Sequence, residues 1–226
     1  MKALIYKEFK LSMHPICYMF IFLFPFMILI PSYPLAIGFI YILSCYPVLF
    51  LGANKGQQSN DLLFSTLLPV RKKDIVMARI ITVAIMQFMF IAMMSCLYPL
   101  AYFINQNIPD AETVGMGLEG YVTVLAIVLV GYAIADLIFF PIYYKHGKSI
   151  VMSTLFTIFG FIAYLGIFTI AFPYIPGCDV FYKDFLGNPS RLWIQFIALG
   201  IGLGIYVLLH WVVYKVSAKR LEQVDF

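Results

Sequence analysis

Polar and apolar positions fall in long blocks along this chain. Apolar runs at about 16–30, 35–53, 79–104, 120–140, 150–172 and 192–214 are separated by shorter polar stretches. Runs near twenty residues are long enough to cross a hydrocarbon core of about 30 Å as helices. The first run is short, roughly 22 Å for fifteen residues, and must borrow from Met13–Pro15 or from the turn Pro31-Ser32-Tyr33-Pro34. Ahead of it, residues 1–14 read as an interfacial helix, with Ile5, Tyr6, Phe9 and Met13 on one side and Lys7 and Lys10 facing away. Lys2, Lys7 and Lys10 before an apolar run also fit a secretory signal peptide, but this apolar region continues almost at once into another span. The pattern predicts an all-α integral membrane protein, six transmembrane helices behind an interfacial one, forming a single domain over 1–226.

The stretch Asn54–Arg79 breaks the pattern most sharply. Lys55, Arg71, Lys72, Lys73 and Arg79 within it supply 5 of the chain's 15 Lys and Arg. Its middle reads as two short helices. Asn60 can cap the first through its side-chain oxygen, and Leu62, Leu63, Phe64, Leu67 and Leu68 give that helix an apolar face too short to span a bilayer. Pro69 stops it and pushes Leu68 away from the helical region. A second helix starts around Arg71–Asp74, with Asp74 placed favourably in its first turn, and runs into the next span. A short apolar helix between basic residues needs something to bury it, so the stretch predicts a docking surface for a soluble partner.

Composition sharpens the class. The chain is 63% apolar and 12% charged, about half the charged share of a soluble domain. Charge also orients it. With both termini inside, 13 of the 15 Lys and Arg are internal and only Lys183 and Arg191 lie outside, a positive-inside pattern that demands an even number of spans. The outer segments are then 105–119, with Asp110, Glu112 and Glu119 and no basic residue, and 173–191, aromatic yet rich in Pro and Gly. The net charge of +4 sits between spans rather than along one face, so nucleic acid is not a predicted partner; the lipid bilayer is.

Asp136 is the one acid within a predicted span. It stands nine residues before Lys145, and an ionised Asp at mid-bilayer costs about 3 kcal/mol. It serves either as a structural hydrogen-bonding group or as part of a pathway. In the last span Ala198 with Gly202, and Gly200 with Gly204, repeat small residues at a spacing that lets another helix approach closely, either within the chain or across a dimer seam. No chemistry of an enzyme emerges. Gly147-Lys148-Ser149 lacks the first glycine of a phosphate-binding loop, since Ile142 stands there. His14, His146 and His210 lie in different segments, and the four cysteines form no C-x-x-C. No catalytic residue, bound cofactor or metal site is predicted.

Taken together, the opening MKALIYKEF, the six spans, the loop NDLLFSTLLPVRKKDIVMAR and the motif Pro141-Ile-Tyr-Tyr-Lys-His-Gly-Lys148 resemble the permease subunits of ABC-2-type exporters. The loop is similar to that family's acidic residue, leucine-rich turn, Leu-Pro-Val and basic cluster; Arg71 and Lys72 depart from it, standing where Ser or Thr and then Arg are expected. A narrower likeness is to the exporter permease of phenol-soluble modulins, short amphipathic peptides. The resemblance implies a multi-pass protein of the bacterial cytoplasmic membrane with both termini in the cytosol. It implies that 54–79 is a coupling region, with Asp61, Leu62, Phe64, Leu67, Leu68, Pro69, Arg71, Lys72, Lys73 and Asp74 docking a separate ABC ATPase, present in two copies, that holds ATP and Mg. A second permease, identical or paralogous, would complete the pathway for an apolar or amphipathic cargo. Two other classes compete: the substrate-binding membrane subunit of a vitamin importer, whose A-x-x-x-A docking spacing the first span lacks, and an intramembrane enzyme.

Overall fold

The computed structural model describes residues 2–12, 15–29, 38, 41, 70–106, 121–146, 150–167 and 192–223. All regular structure among them is helical. Helix α1 (Lys2–Lys7) passes into a wider π-type turn over Glu8–Ser12, and α2 (Pro15–Leu23) tightens into a 3₁₀ segment over Phe24–Leu29. The long helices follow: α3 (Lys72–Gln106), α4 (Tyr121–His146), α5 (Ile150–Gly166) and α6 (Leu192–Glu222).

Three helices are long and apolar enough to cross a membrane, over Lys72–Ala101, Val122–Lys145 and Trp193–Glu222, and shorter apolar helices lie at Ile16–Leu29 and Met152–Tyr164. The remaining expected span, 35–53, lies outside the described residues apart from Gly38 and Tyr41. The change of helix type at Phe24 has a local cause. Pro25 has no N–H, and its ring clashes with the carbonyl four residues back, so the backbone tightens there. The tighter coil rises faster, and nine α-helical plus six 3₁₀ residues reach roughly 25 Å, slightly more than a uniform α-helix would.

Helices α3 and α6 overrun the predicted apolar runs at their basic ends. The first starts at Lys72, within the Arg71–Asp74 stretch expected to open a helix, with Asp74 in its opening turn; the second continues past 214 to Glu222 and carries Lys219 and Arg220 in its last turn. A hydropathy boundary marks the first charge, but Lys, Arg and Glu are good helix formers, so the helix continues beyond it. Pro141, expected at the end of the fourth span, lies inside α4. Arg220 Nη1 donates to its carbonyl at 2.5 Å, tying the end of α6 to α4.

Among the described long helices, α4 is the most buried. Of its most apolar window 78% is buried, against 17% for α6. It packs on both α5 and α6, while α3 packs on α6 and on Phe24–Leu29. Lipid offers no hydrophobic drive for helix association, so close packing and internal hydrogen bonds must supply it. Tyr132, Phe139, Phe140 and Tyr144 line α4 as fully buried side chains, with Phe90 and Phe161 in the same core. Gly202 lets α6 meet the Ala126 backbone: a Cβ there would lie 3.2 Å from both Ala126 Cα and O. Gly38 is packed as closely, since its Cβ would fall 2.6 Å from Val128 Cγ2, and Tyr132 donates to its carbonyl at 2.8 Å.

Candidate functional site

Two buried polar constellations stand out, one at the basic end of the bundle and one within it. At the basic end the interfacial segment presents Glu8 inward to Arg79 of α3, both 4% exposed. Arg79 Nε lies 2.9 Å from Glu8 Oε2 and Nη2 lies 3.4 Å from Oε1, a two-point guanidinium–carboxylate pair. Nη1 reaches the Tyr143 hydroxyl of α4 at 3.3 Å, and Lys7 Nζ approaches Glu8 Oε1 at 3.5 Å. Lys7 is drawn against Glu8 with 12% of its side chain exposed, while Tyr6, expected on the apolar face, is 64% exposed with Lys10 Nζ 3.3 Å from its hydroxyl.

The predicted docking residues divide. Asp61, Leu62, Phe64, Leu67, Leu68 and Pro69 lie outside the described residues, as do residues 107–119 and 173–191 of the outer segments. Arg71 is exposed just before α3, and its carbonyl accepts the Asp74 N–H at 2.9 Å to close the first turn. Lys72 and Asp74 are part-buried, and Lys73 pairs with Glu222 of α6 at 3.2 Å with both side chains about half exposed. The start of α3 is therefore joined to the Glu8–Ser12 turn, to α4 and to α6.

Within the bundle, Asp136 of α4 is fully buried and accepts a hydrogen bond from Gln87 Nε2 at 2.9 Å. Gln87 Oε1 in turn accepts from the Tyr206 hydroxyl at 2.6 Å. His210, one turn on from Tyr206 in α6, places Nε2 3.0 Å from Asp136 Oδ2, in ion-pair range though off the hydrogen-bond axis. Its Nδ1 lies 2.9 Å from the Tyr206 carbonyl, and the two rings pack at 4.0 Å between centroids. Gln87, Asp136, His210 and Tyr206 form a closed ring joining α3, α4 and α6.

Asp136 is thus a hydrogen-bonded element of the core. The other ring members Gln87, Tyr206 and His210 are not evident from sequence motifs, yet a signal exists. Gln87 lies eight residues from Arg79, Asp136 nine from Lys145 and His210 nine from Lys219, so antiparallel spans bring all three to one depth, roughly 12–14 Å from the basic end.

The small residues of α6 also divide. Ala198 and Gly202 line an apolar cavity of about 540 Å³ with Thr123 and Ala126 of α4 and Tyr164 of α5, whereas a Cβ on Gly200 or Gly204 would meet nothing within 4 Å. Among the described residues no group of three or more His, Cys, Asp or Glu could hold a metal ion.

Three helices long and apolar enough to cross a membrane, tied together by two buried polar constellations among the described residues, make a membrane-spanning helical bundle. The chain belongs to the ABC-2 family of transporter proteins, whose family model matches residues 3–220. It is accordingly a multi-pass permease subunit of an ABC transporter, a family whose membrane subunits work with an ABC ATPase. Comparison with curated proteins and with solved structures gives no match.

Proposed function

We propose that this permease is an exporter subunit for an apolar or amphipathic cargo, amphipathic peptides being the candidate class, driven through the 54–79 loop by a separate ATPase that binds ATP and Mg. The observation that carries the reading is the joint at the basic end. The loop runs directly into α3, whose first two turns are bonded to Glu8 ahead of α2, to Tyr143 of α4 and to Glu222 of α6. A displacement of the loop is therefore delivered to four elements at once rather than to one helix. In this reading the basic end faces the cytosol, as the charge asymmetry requires. Two ATPases close on ATP and move two such joints, one in each of two permease copies, identical or paralogous. The cavity of about 540 Å³ between α4, α5 and α6 has no polar lining surface, which favours cargo with an apolar face.

The test is charge reversal at the loop's exit. Changing Arg71, Lys72 and Lys73 together to Glu abolishes co-purification of the ATPase and peptide export while the permease remains in the membrane. Retained association and normal export would overturn the docking role. Because Lys73 also pairs with Glu222, Glu222→Ala serves as the control for loss of that pair and leaves co-purification of the ATPase intact.

A further inference from the structure

Helix α6 turns one apolar face away from the helices it packs on. Val207, Leu208 and Trp211 on that face are each more than half exposed. With Leu203 and Gly204 they line a groove of about 650 Å³. Gly204 forms its floor, since a Cβ there would meet nothing within 4 Å. At its basic end the groove meets positive charge. Lys215, one turn beyond Trp211, lays its ammonium over the indole, Nζ 3.7 Å from the ring centroid. Helical side chains lean toward the helix N-terminus, so the charge is carried back to the end of the groove instead of away from it. Lys219, a further turn on, is exposed on the same stripe.

Among the described residues neither ammonium has a carboxylate partner. Glu222, the acid on this stripe, is taken up by Lys73 at 3.2 Å. An ammonium carries three donors and no acceptor, and the ring face satisfies the charge of Lys215 only in part. An occupant of this face therefore needs an apolar body that lies along 203–211 and an anionic group one turn beyond Trp211. A second copy of the chain offers the first and not the second. Copies related by a two-fold axis along the membrane normal would set Lys215 and Lys219 of one beside the same lysines of the other, like charge against like. A zwitterionic lipid brings an ammonium of its own to the same place.

We propose that the face of α6 over residues 203–219 is a binding site for a phospholipid of net negative charge. One acyl chain lies in the groove over Gly204, and the phosphate oxygens accept from Lys215 and Lys219. Trp211 stands between chain and head, at the level where tryptophan rings gather in membranes. The lysines supply the preference for an anionic head, and the groove holds the chain beneath it. The site rests on neither the cargo nor the docking of the ATPase.

The experiment uses the full chain in phosphatidylcholine vesicles, with Trp193→Phe so that Trp211 is the sole tryptophan. Phosphatidylglycerol or phosphatidylcholine carrying brominated acyl chains is included at rising mole fraction, and quenching of Trp211 fluorescence reports which lipid lies against the groove. Phosphatidylglycerol is expected to reach half-quenching at a mole fraction at least fivefold lower, since one lysine beside an anionic head is worth about fivefold. Lys215→Gln with Lys219→Gln, both at exposed positions, brings the two lipids level while each still quenches. Equal quenching by the two lipids before the lysines are changed overturns the proposal, and so does a preference that survives the loss of both. Trp211 shielded from both brominated lipids would show that a protein surface covers this face, and overturns it as well.

Discussion

Glu8 and Arg79, 71 positions apart in sequence, meet through two N–O contacts of 2.9 and 3.4 Å with 5% of each side chain exposed. A buried pair of this kind adds little net stability over apolar groups of the same shape, because both charges have been taken out of water. What it adds is position. The N-terminal helical segment is fixed at one point on α3, and Tyr143 extends that fix to α4.

Breaking the pair from one side strands a charge. Glu8→Gln removes the carboxylate charge that faces the buried Arg79 guanidinium, for an expected loss of about 3–5 kcal/mol, read as a lowered unfolding temperature in detergent. Replacing both partners, Glu8→Leu with Arg79→Met, restores most of the loss. If the single variant melts with the wild type, the pair is not held as described.

The neighbouring pair behaves differently. Lys73 and Glu222 lie 3.2 Å apart, but their side chains are 53% and 46% exposed. Exposed ion pairs contribute about 0–1 kcal/mol and are screened by salt. Lys73→Ala is expected to leave the unfolding temperature within error at physiological ionic strength. A large drop would mean that Lys73 is structural and unsuited to a docking role.

The division between what the sequence discloses and what it hides follows physical lines. Long apolar blocks disclose the helices, because hydropathy over twenty residues is a strong signal. The helices run past the apolar blocks at the basic side, to His146 and Glu222, because a charge ends an apolar run without ending a helix. Asp136 was visible as an anomaly, but its partners were not. Gln87, Tyr206 and His210 are each unremarkable alone, and only the antiparallel register brings them to one level. Glu8 was hidden for a related reason: local periodicity describes a helix's own faces and carries no information about a guanidinium 71 residues away.

The ring itself offers a milder perturbation than its charged members. Tyr206 donates to Gln87 Oε1 at 2.6 Å and packs on His210 at 4.0 Å. Tyr206→Phe keeps the packing and removes the donor. Interhelical hydrogen bonds in membranes are worth about 0.6 kcal/mol on average and reach roughly 1.7. A loss in that range, measured by unfolding in mild detergent, is the expected outcome. No loss would show that the hydroxyl bond is not made.

The last span supplies a comparison in which chemistry is constant and only place differs. Gly202 and Gly204 are two residues apart on α6, yet a Cβ on the first would press on the Ala126 backbone at 3.2 Å while one on the second would meet nothing within 4 Å. Backbone cannot swing aside as a side-chain end can, so Gly202→Val must push α6 off α4. Overpacking of this sort costs about 1–3 kcal/mol, and the shift would also strain the Asp136–His210 contact further along the same interface. Gly204→Val gains a β-branched side chain in open space and leaves monomer stability unchanged. The pair of variants also separates the two uses of small residues on α6. A dimer seam on the Gly200–Gly204 face would make Gly204→Val weaken cross-linking between differently tagged copies without lowering the unfolding temperature, whereas Gly202→Val would lower both. Equal unfolding temperatures for the two variants would contradict the packing of α6 on α4.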